Sequence, residues 1–94
     1  MGKRVGGGRL NAIVLKKEVG DFRAAYIVGK KHGIAVARNR IKRVLREAFR
    51  KAREGCEGAA DIVFIPKEGG GASLSEGLDE IKKILKNAGF SSRE

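Results

Sequence analysis

Arginine dominates the chemistry this sequence could do. Between positions 38 and 53 stand Arg38, Arg40, Lys42, Arg43, Arg46, Arg50, Lys51 and Arg53, with Glu47 the single acid among them. A guanidinium is planar, permanently charged and forked, so it grips phosphate through parallel hydrogen bonds. At about 100° per residue, Asn39, Lys42, Arg43, Arg46, Arg50 and Arg53 fall in one sector of a helix. Arg40, Glu47 and Lys51 lie along a flank, and Arg38 sits near the edge of the opposite face. The plain alternative is a solvated helix face. Such faces usually mix signs, because like charges at i and i+4 destabilise a helix. Here Lys42, Arg46 and Arg50 repeat at that spacing, and Glu47 is positioned at i±4 to relieve only Arg43 and Lys51. A polyanion lying along the face removes the conflict. Lys30 and Lys31, a few residues before the helix, extend the same site toward its N-terminus, where backbone N–H groups favour anions.

Other combinations carry less. His32 is the lone histidine, and no acid or nucleophile stands near it to make a general base. Val28-Gly29-Lys30 lacks the earlier glycine and the following Ser or Thr of a phosphate-binding loop. Asp21, Asp61 and Asp79 are scattered. Cys56 is the only cysteine, which excludes an internal disulfide and a cysteine zinc cluster. No catalytic residue and no metal site is expected in the polypeptide.

The elements that must hold these residues follow from periodicity. Ala37, Ile41, Val44, Leu45, Ala48, Phe49 and Ala52 recur at spacings of three and four, the apolar stripe of a helix that packs on a sheet. Residues 10–17 and 22–29 read as strands, and the polar turn between them predicts a hairpin. Residues 61–66 read as a buried strand. Ser73 and Glu76 offer a capping box for a last helix with Leu74, Leu78, Ile81, Leu85 and Ala88 on one face, ended by Gly89. Gly77 should weaken its first turn. The order strand, strand, helix, strand, helix predicts an α+β fold, a small mixed sheet with helices on it. Residues 1–9 read as a flexible basic tail, 10–90 as one domain and 91–94 as a C-terminal tail. Gly69-Gly70-Gly71 reads as a flexible connection.

Bulk properties narrow the partner. In 94 residues, 21 Lys and Arg face 11 Asp and Glu, a formal charge of +10 that a nucleic acid would neutralise. No apolar run approaches the roughly 20 residues of a spanning helix. Residues 1–8 lack the apolar centre of a secretory signal, so a cytoplasmic location is expected. One tyrosine and four phenylalanines limit stacking on single-stranded bases to a minor part of binding.

The basic segment also carries a resemblance. Lys30-Lys31, then Arg38-Asn39-Arg40, Ile41-Lys42-Arg43, Leu45-Arg46-Glu47 and Phe49-Arg50, closely resembles the signature of the bacterial ribonuclease P protein subunit. Asp61-Ile62-Val63-Phe64-Ile65 and Lys86-Asn87-Ala88-Gly89 are similar to the family's later strand and helix, so the resemblance covers about residues 22–89. It implies the fold of the second domain of ribosomal protein S5, with a left-handed β-α-β crossover where chain physics alone predicts a right-handed one. It implies an accessory subunit of an endonuclease, a ribonucleoprotein in which a catalytic RNA, with Mg2+, hydrolytically removes the 5′ leader of precursor tRNA. The protein would bind that RNA and bind no cofactor, and would be monomeric without RNA. RNA-contacting residues would be Lys30, Lys31, Arg38, Asn39, Arg40, Lys42, Arg43, Arg46, Arg50 and Arg53. Ile13, Leu15, Tyr26 and Val28 would line a leader cleft. The family's basic N-terminal helix has no counterpart in residues 1–9, so its aromatic contacts to the leader are not carried over. Two alternatives stay open on charge and size: a non-catalytic RNA-binding protein of ribosomal type, and a DNA-binding module. The second is disfavoured because no short helix and tight turn precede the basic helix.

Overall fold

In the computed structural model, which describes residues 2–6, 8–67 and 73–92, the strand that organises the sheet is Ala60–Pro66. Every second residue of it, Ala60, Ile62, Phe64 and Pro66, is buried, and those between are half-buried. Such a strand needs neighbours on both sides. In chain order the elements are β1 (Lys3–Gly6), β2 (Leu10–Lys16), β3 (Arg23–Tyr26), a 3-10 turn (Lys30–His32), α1 (Ala35–Arg53), β4 (Cys56–Glu57), β5 (Ala60–Pro66), α2 (Leu74–Asn87) and β6 (Ser91–Ser92). The main sheet runs β1-β2-β5-β3. β1 and β2 are antiparallel, β2 and β5 are antiparallel, and β3 is parallel to β5. β3, α1 and β5 therefore form a β-α-β unit. The sheet is mixed and both helices cover one of its faces, the α+β architecture expected.

Three expectations change. β2 and β3 do not form a hairpin, because β5 lies between them: Ile13 pairs with Val63, and Val63 with Ala25. Alternation fixes which residues share a face but says nothing about which strands are neighbours. The flexible tail expected over residues 1–9 contains β1, whose Val5 is buried opposite Ala12. Ser91–Ser92, assigned to a C-terminal tail, pairs with Cys56–Glu57 and ties the end of α2 to the end of α1. The glycine run at 69–71 lies outside the described residues.

The core is Val5, Leu10, Ala12 and Val14 from the first hairpin, Ile62 and Phe64 from β5, Leu45, Ala48, Phe49 and Ala52 from α1, and Ile81, Ile84 and Leu85 from α2. Full burial of each large side chain stabilises the fold by about 1.5–3 kcal/mol. Gly77 explains how the helices approach. It is buried, and a Cβ there would stand 3.4 Å from Ala48 Cβ and 3.7 Å from Leu45 Cδ2. What reads in the sequence as a weak first turn is the contact point of α1 and α2. The five aromatic rings form one chain from Phe90 through Phe22, Phe49 and Phe64 to Tyr26, with centroids 5.1–6.1 Å apart.

Candidate nucleic-acid interface

α1 divides along its length. Leu45, Ala48, Phe49 and Ala52 are buried, while Ile41 and Val44 are half-buried toward its first half. Asn39, Arg40, Arg43, Arg46, Arg50 and Lys51 are exposed, and Arg38, Lys42 and Arg53 are half-buried. The structure thus brings Arg40, Arg43 and Arg46 to the surface of one helix, and among the described residues none of them has an acidic partner within ion-pair distance.

The two arginines nearest the C-terminus differ. Arg50 is held by the Glu47 carboxylate one turn earlier and lies 3.7 Å from Glu54. Arg53 donates to Asp21 at 2.6 Å. The Glu47 pairing corrects the i±4 expectation, since its partner is at i+3. The Asp21 pairing joins residues far apart in sequence and left no local signal. The Glu47 carboxyl is held below its ordinary range by the hydrogen bond from Arg50. Asp21 is lowered first by the backbone N–H of Phe22 and then by Arg53. All four groups face solvent, so water and salt screen the pairs and a phosphate can exchange for either carboxylate.

The start of α1 is built differently from an ordinary helix start. Its N-cap is Ile34, which offers no side-chain acceptor, and the first turn holds no acid. Immediately before it, Lys30–His32 forms the 3-10 turn, with Lys30 and Lys31 exposed. His32 Nε2 lies 3.0 Å from the Pro66 carbonyl oxygen. A carbonyl can only accept, so this nitrogen carries the proton and pins the turn to the end of β5. Gly33 then turns the chain at φ 108°, a region open to glycine at no steric cost. The result is a cluster of positive charge beside the open N–H groups and positive dipole end of a helix. The arrangement is unfavourable until an anion occupies it.

The expected leader cleft separates into two places. Ile13 and Leu15 are exposed on the sheet face that the helices leave open, where Ala25, Val63 and Ile65 extend the row and Arg4 and Arg23 flank it. Tyr26 and Val28 belong to the other side. Tyr26 stacks on Phe64 with centroids 5.7 Å apart, and Val28 is buried. The four residues therefore do not line one cleft: alternation along each strand leaves open which of its two faces matches a face of the next strand.

Among the described residues no cluster of His, Cys, Asp and Glu could hold a metal ion. The arrangement offers fixed positive charge and N–H donors, the chemistry of binding a phosphate backbone. With this geometry established, likeness to known proteins decides among the RNA and DNA readings. The family model described as Ribonuclease P matches residues 1–89. The chain belongs to the ribonuclease P protein family. The ribonuclease P protein component of Syntrophomonas wolfei is 37% identical over 93 residues, which cover 98% of this chain and 78% of that protein. That of Oceanobacillus iheyensis is 41% identical over 70 residues, 74% of this chain, so the match spans 55% of the relative's length. Among solved structures, the Staphylococcus aureus RNase P protein superposes with a TM-score of 0.77 at 29% identity, covering 94% of this chain and 82% of that one. The Thermotoga maritima RNase P protein gives 0.68 at 28% identity, over 93% and 80%. Membership assigns the protein-component role in ribonuclease P, a ribonucleoprotein of tRNA processing whose partner is an RNA. The ribosomal-protein and DNA-binding alternatives fall away. The family match also takes in the first strand and its hairpin, which the sequence resemblance, confined to about residues 22–89, had left out.

Proposed function

We propose that the exposed face of α1 and the Lys30–His32 turn before it dock on the catalytic RNA of ribonuclease P, and that the bound protein assists removal of the 5′ leader from precursor tRNA. One observation carries this reading. Arg43 and Arg46 on the outer face of α1, and Arg40 on its flank, are exposed and among the described residues have no acidic partner, and this surface leads back to an uncapped helix start flanked by two lysines. Left in water, that surface repels itself; laid on phosphates, each arginine gains a partner. The RNA carries the chemistry and its Mg2+, and the protein lowers repulsion between two polyanions. The leader passes over the open sheet face, where Ile13 and Leu15 are exposed between Arg4 and Arg23.

The test is cleavage of precursor tRNA by the cognate RNA at low Mg2+, with and without the protein. Stimulation is expected, and its absence would refute the role. Arg43→Ala should lower RNA affinity and reduce the slope of log affinity against log salt by about one unit. An unchanged slope would show that this side chain misses the phosphates.

A further inference from the structure

Between β3 and the C-terminal half of α1 runs a groove of about 310 Å³ that docking of the helix face alone does not use. Its floor comes from the helix-side residues of β3 and the segment just before it. Phe22 and Tyr26 stand at the two ends, and Ala24 between them is too small to fill the space. Its wall is Arg46, Arg50 and Arg53. β3 is an edge strand of the sheet, and among the described residues no further strand closes the groove.

Tyr26 is the distinctive member. The phenylalanine rings at 22, 49 and 64 are buried, whereas Tyr26 is half-exposed at the end of the aromatic chain. Phe64 supports its ring in a near-parallel stack, at an interplanar angle of 17°. The Arg46 guanidinium carbon lies 5.9 Å from the ring centroid. That is beyond direct stacking contact, which is about 3.5–4 Å. It falls short of the roughly 7 Å that two such spacings need when a planar group is inserted. A shift of about 1 Å in one exposed arginine side chain would open that slot.

We propose that this groove takes one unpaired nucleotide of the RNA, with the base between Tyr26 and Arg46 and its flanking phosphates on Arg50 and Arg53. The chemistry on the two sides matches the two halves of a nucleotide. An aromatic face and a guanidinium plane are the surfaces on which splayed-out bases stack. Two further cations, each held only by solvent-exposed carboxylates, are available to the backbone. The proposal rests on the reading of α1 as the RNA-binding face and adds a site that reads a base, where the rest of the helix reads charge. It also accounts for the placement of Asp21 and Glu47. They keep Arg53 and Arg50 extended along the groove wall while it is empty, and exchange with phosphate when it fills.

The chain has one tyrosine, so uniform incorporation of 3-fluorotyrosine gives a single fluorine resonance that reports on Tyr26 alone. Three probes separate the possibilities: the cognate catalytic RNA, a short single-stranded adenylate, and inorganic polyphosphate. The adenylate and the catalytic RNA should move the resonance upfield, the ring-current direction for a stacked base, and polyphosphate should leave it in place. Tyr26→Leu should weaken adenylate binding about tenfold, and Tyr26→Phe should retain it. Ala24→Val, which fills the recess without changing charge or ring, should also weaken it. A resonance that polyphosphate shifts as much as adenylate does would overturn the proposal. So would a folded Tyr26→Leu variant that binds adenylate like the unaltered chain. If the catalytic RNA binds with its full salt slope while the resonance stays still, the groove falls and the α1 reading stands. If the catalytic RNA does not bind, both fall.

Discussion

The two helices lie side by side on the same sheet face and share one core, yet their outer surfaces and their ends are opposites. α2 is complete in itself. Ser73 Oγ accepts from the Glu76 N–H at 3.2 Å, Glu76 supplies an acid in the first turn, and Lys86 supplies a cation in the last. Its outer residues mix Glu76, Asp79 and Glu80 with Lys82, Lys83 and Lys86. It ends in a Schellman motif, with Phe90 N–H on the Leu85 carbonyl and Gly89 at φ 93°. α1 has no side-chain cap, no acid in its first turn and one acid against eight cations over residues 38–53. α1 is thus unfinished as an isolated helix. In the proposed docking of α1 on RNA, phosphates would supply at this helix what Ser73 and the α2 acids supply internally.

The comparison implies that the inner and outer faces of α1 are separable, and the largest expected effect tests this. Leu45 is fully buried and its Cδ2 faces Gly77 across the helix pair. Leu45→Ala should cost about 2–5 kcal/mol of stability by removing buried methyl groups and leaving a cavity between the helices. Urea unfolding measures it. The folded fraction should still bind RNA with the salt slope of the unaltered chain. A changed slope would mean that the packing of α2 sets the positions of the arginines, and the two faces would not be independent.

A middle-sized effect comes from exchanging the character of the helix starts. Ser73→Ala should lower stability by about 1 kcal/mol and leave RNA affinity where it was. Ile34→Asp gives α1 the cap it lacks, at an extended residue that is 74% exposed. The free protein should gain about 1 kcal/mol, while RNA binding weakens because a carboxylate now occupies the place of a phosphate. Thermal melts with and without RNA distinguish the outcomes. Unchanged RNA affinity in Ile34→Asp would remove the start of α1 from the interface.

How far the sequence could be read follows the same division. Both helices were legible, because a stripe repeating at three and four residues is a long signal. The positions of Leu45, Ala48 and Phe49 came directly from it. Ser73 was legible as a cap, but the box closes on one side only, since the Glu76 carboxylate turns to Arg9 at 3.5 Å. Strand neighbours were not legible. β5 separates β2 from β3 by a long-range pairing that leaves no mark in the loop between them. β1 was hidden in a glycine-rich stretch where Val5 is the one apolar residue of the strand. The pairing of Asp21 with Arg53 spans 32 residues and exists only once β3 and α1 have met. Within the site, the sequence identified which side chains are cationic, and the fold determined which are occupied and which are open.

The smallest effect tests that last distinction. Asp21 and Glu47 each have a folded-state pKa lowered by their partners, so each stabilises the fold at pH values above the ordinary carboxylate range. Their contribution is lost as pH falls below about 4 and through the lower folded-state values. Both carboxylates are exposed, so the loss in stability should be slight. The consequence for RNA should be easier to see, because Arg50 and Arg53 stay charged while their holders become neutral. Asp21→Asn reproduces half of this change at neutral pH without acidifying the RNA. It should leave the melting temperature nearly unchanged and strengthen RNA binding modestly, since Arg53 no longer has to leave a carboxylate to meet a phosphate. Weaker binding in Asp21→Asn would mean that the carboxylate aims Arg53 at its target more than it competes for it. The C-terminal part of α1 would then be as fully prepared by its own fold as α2 is.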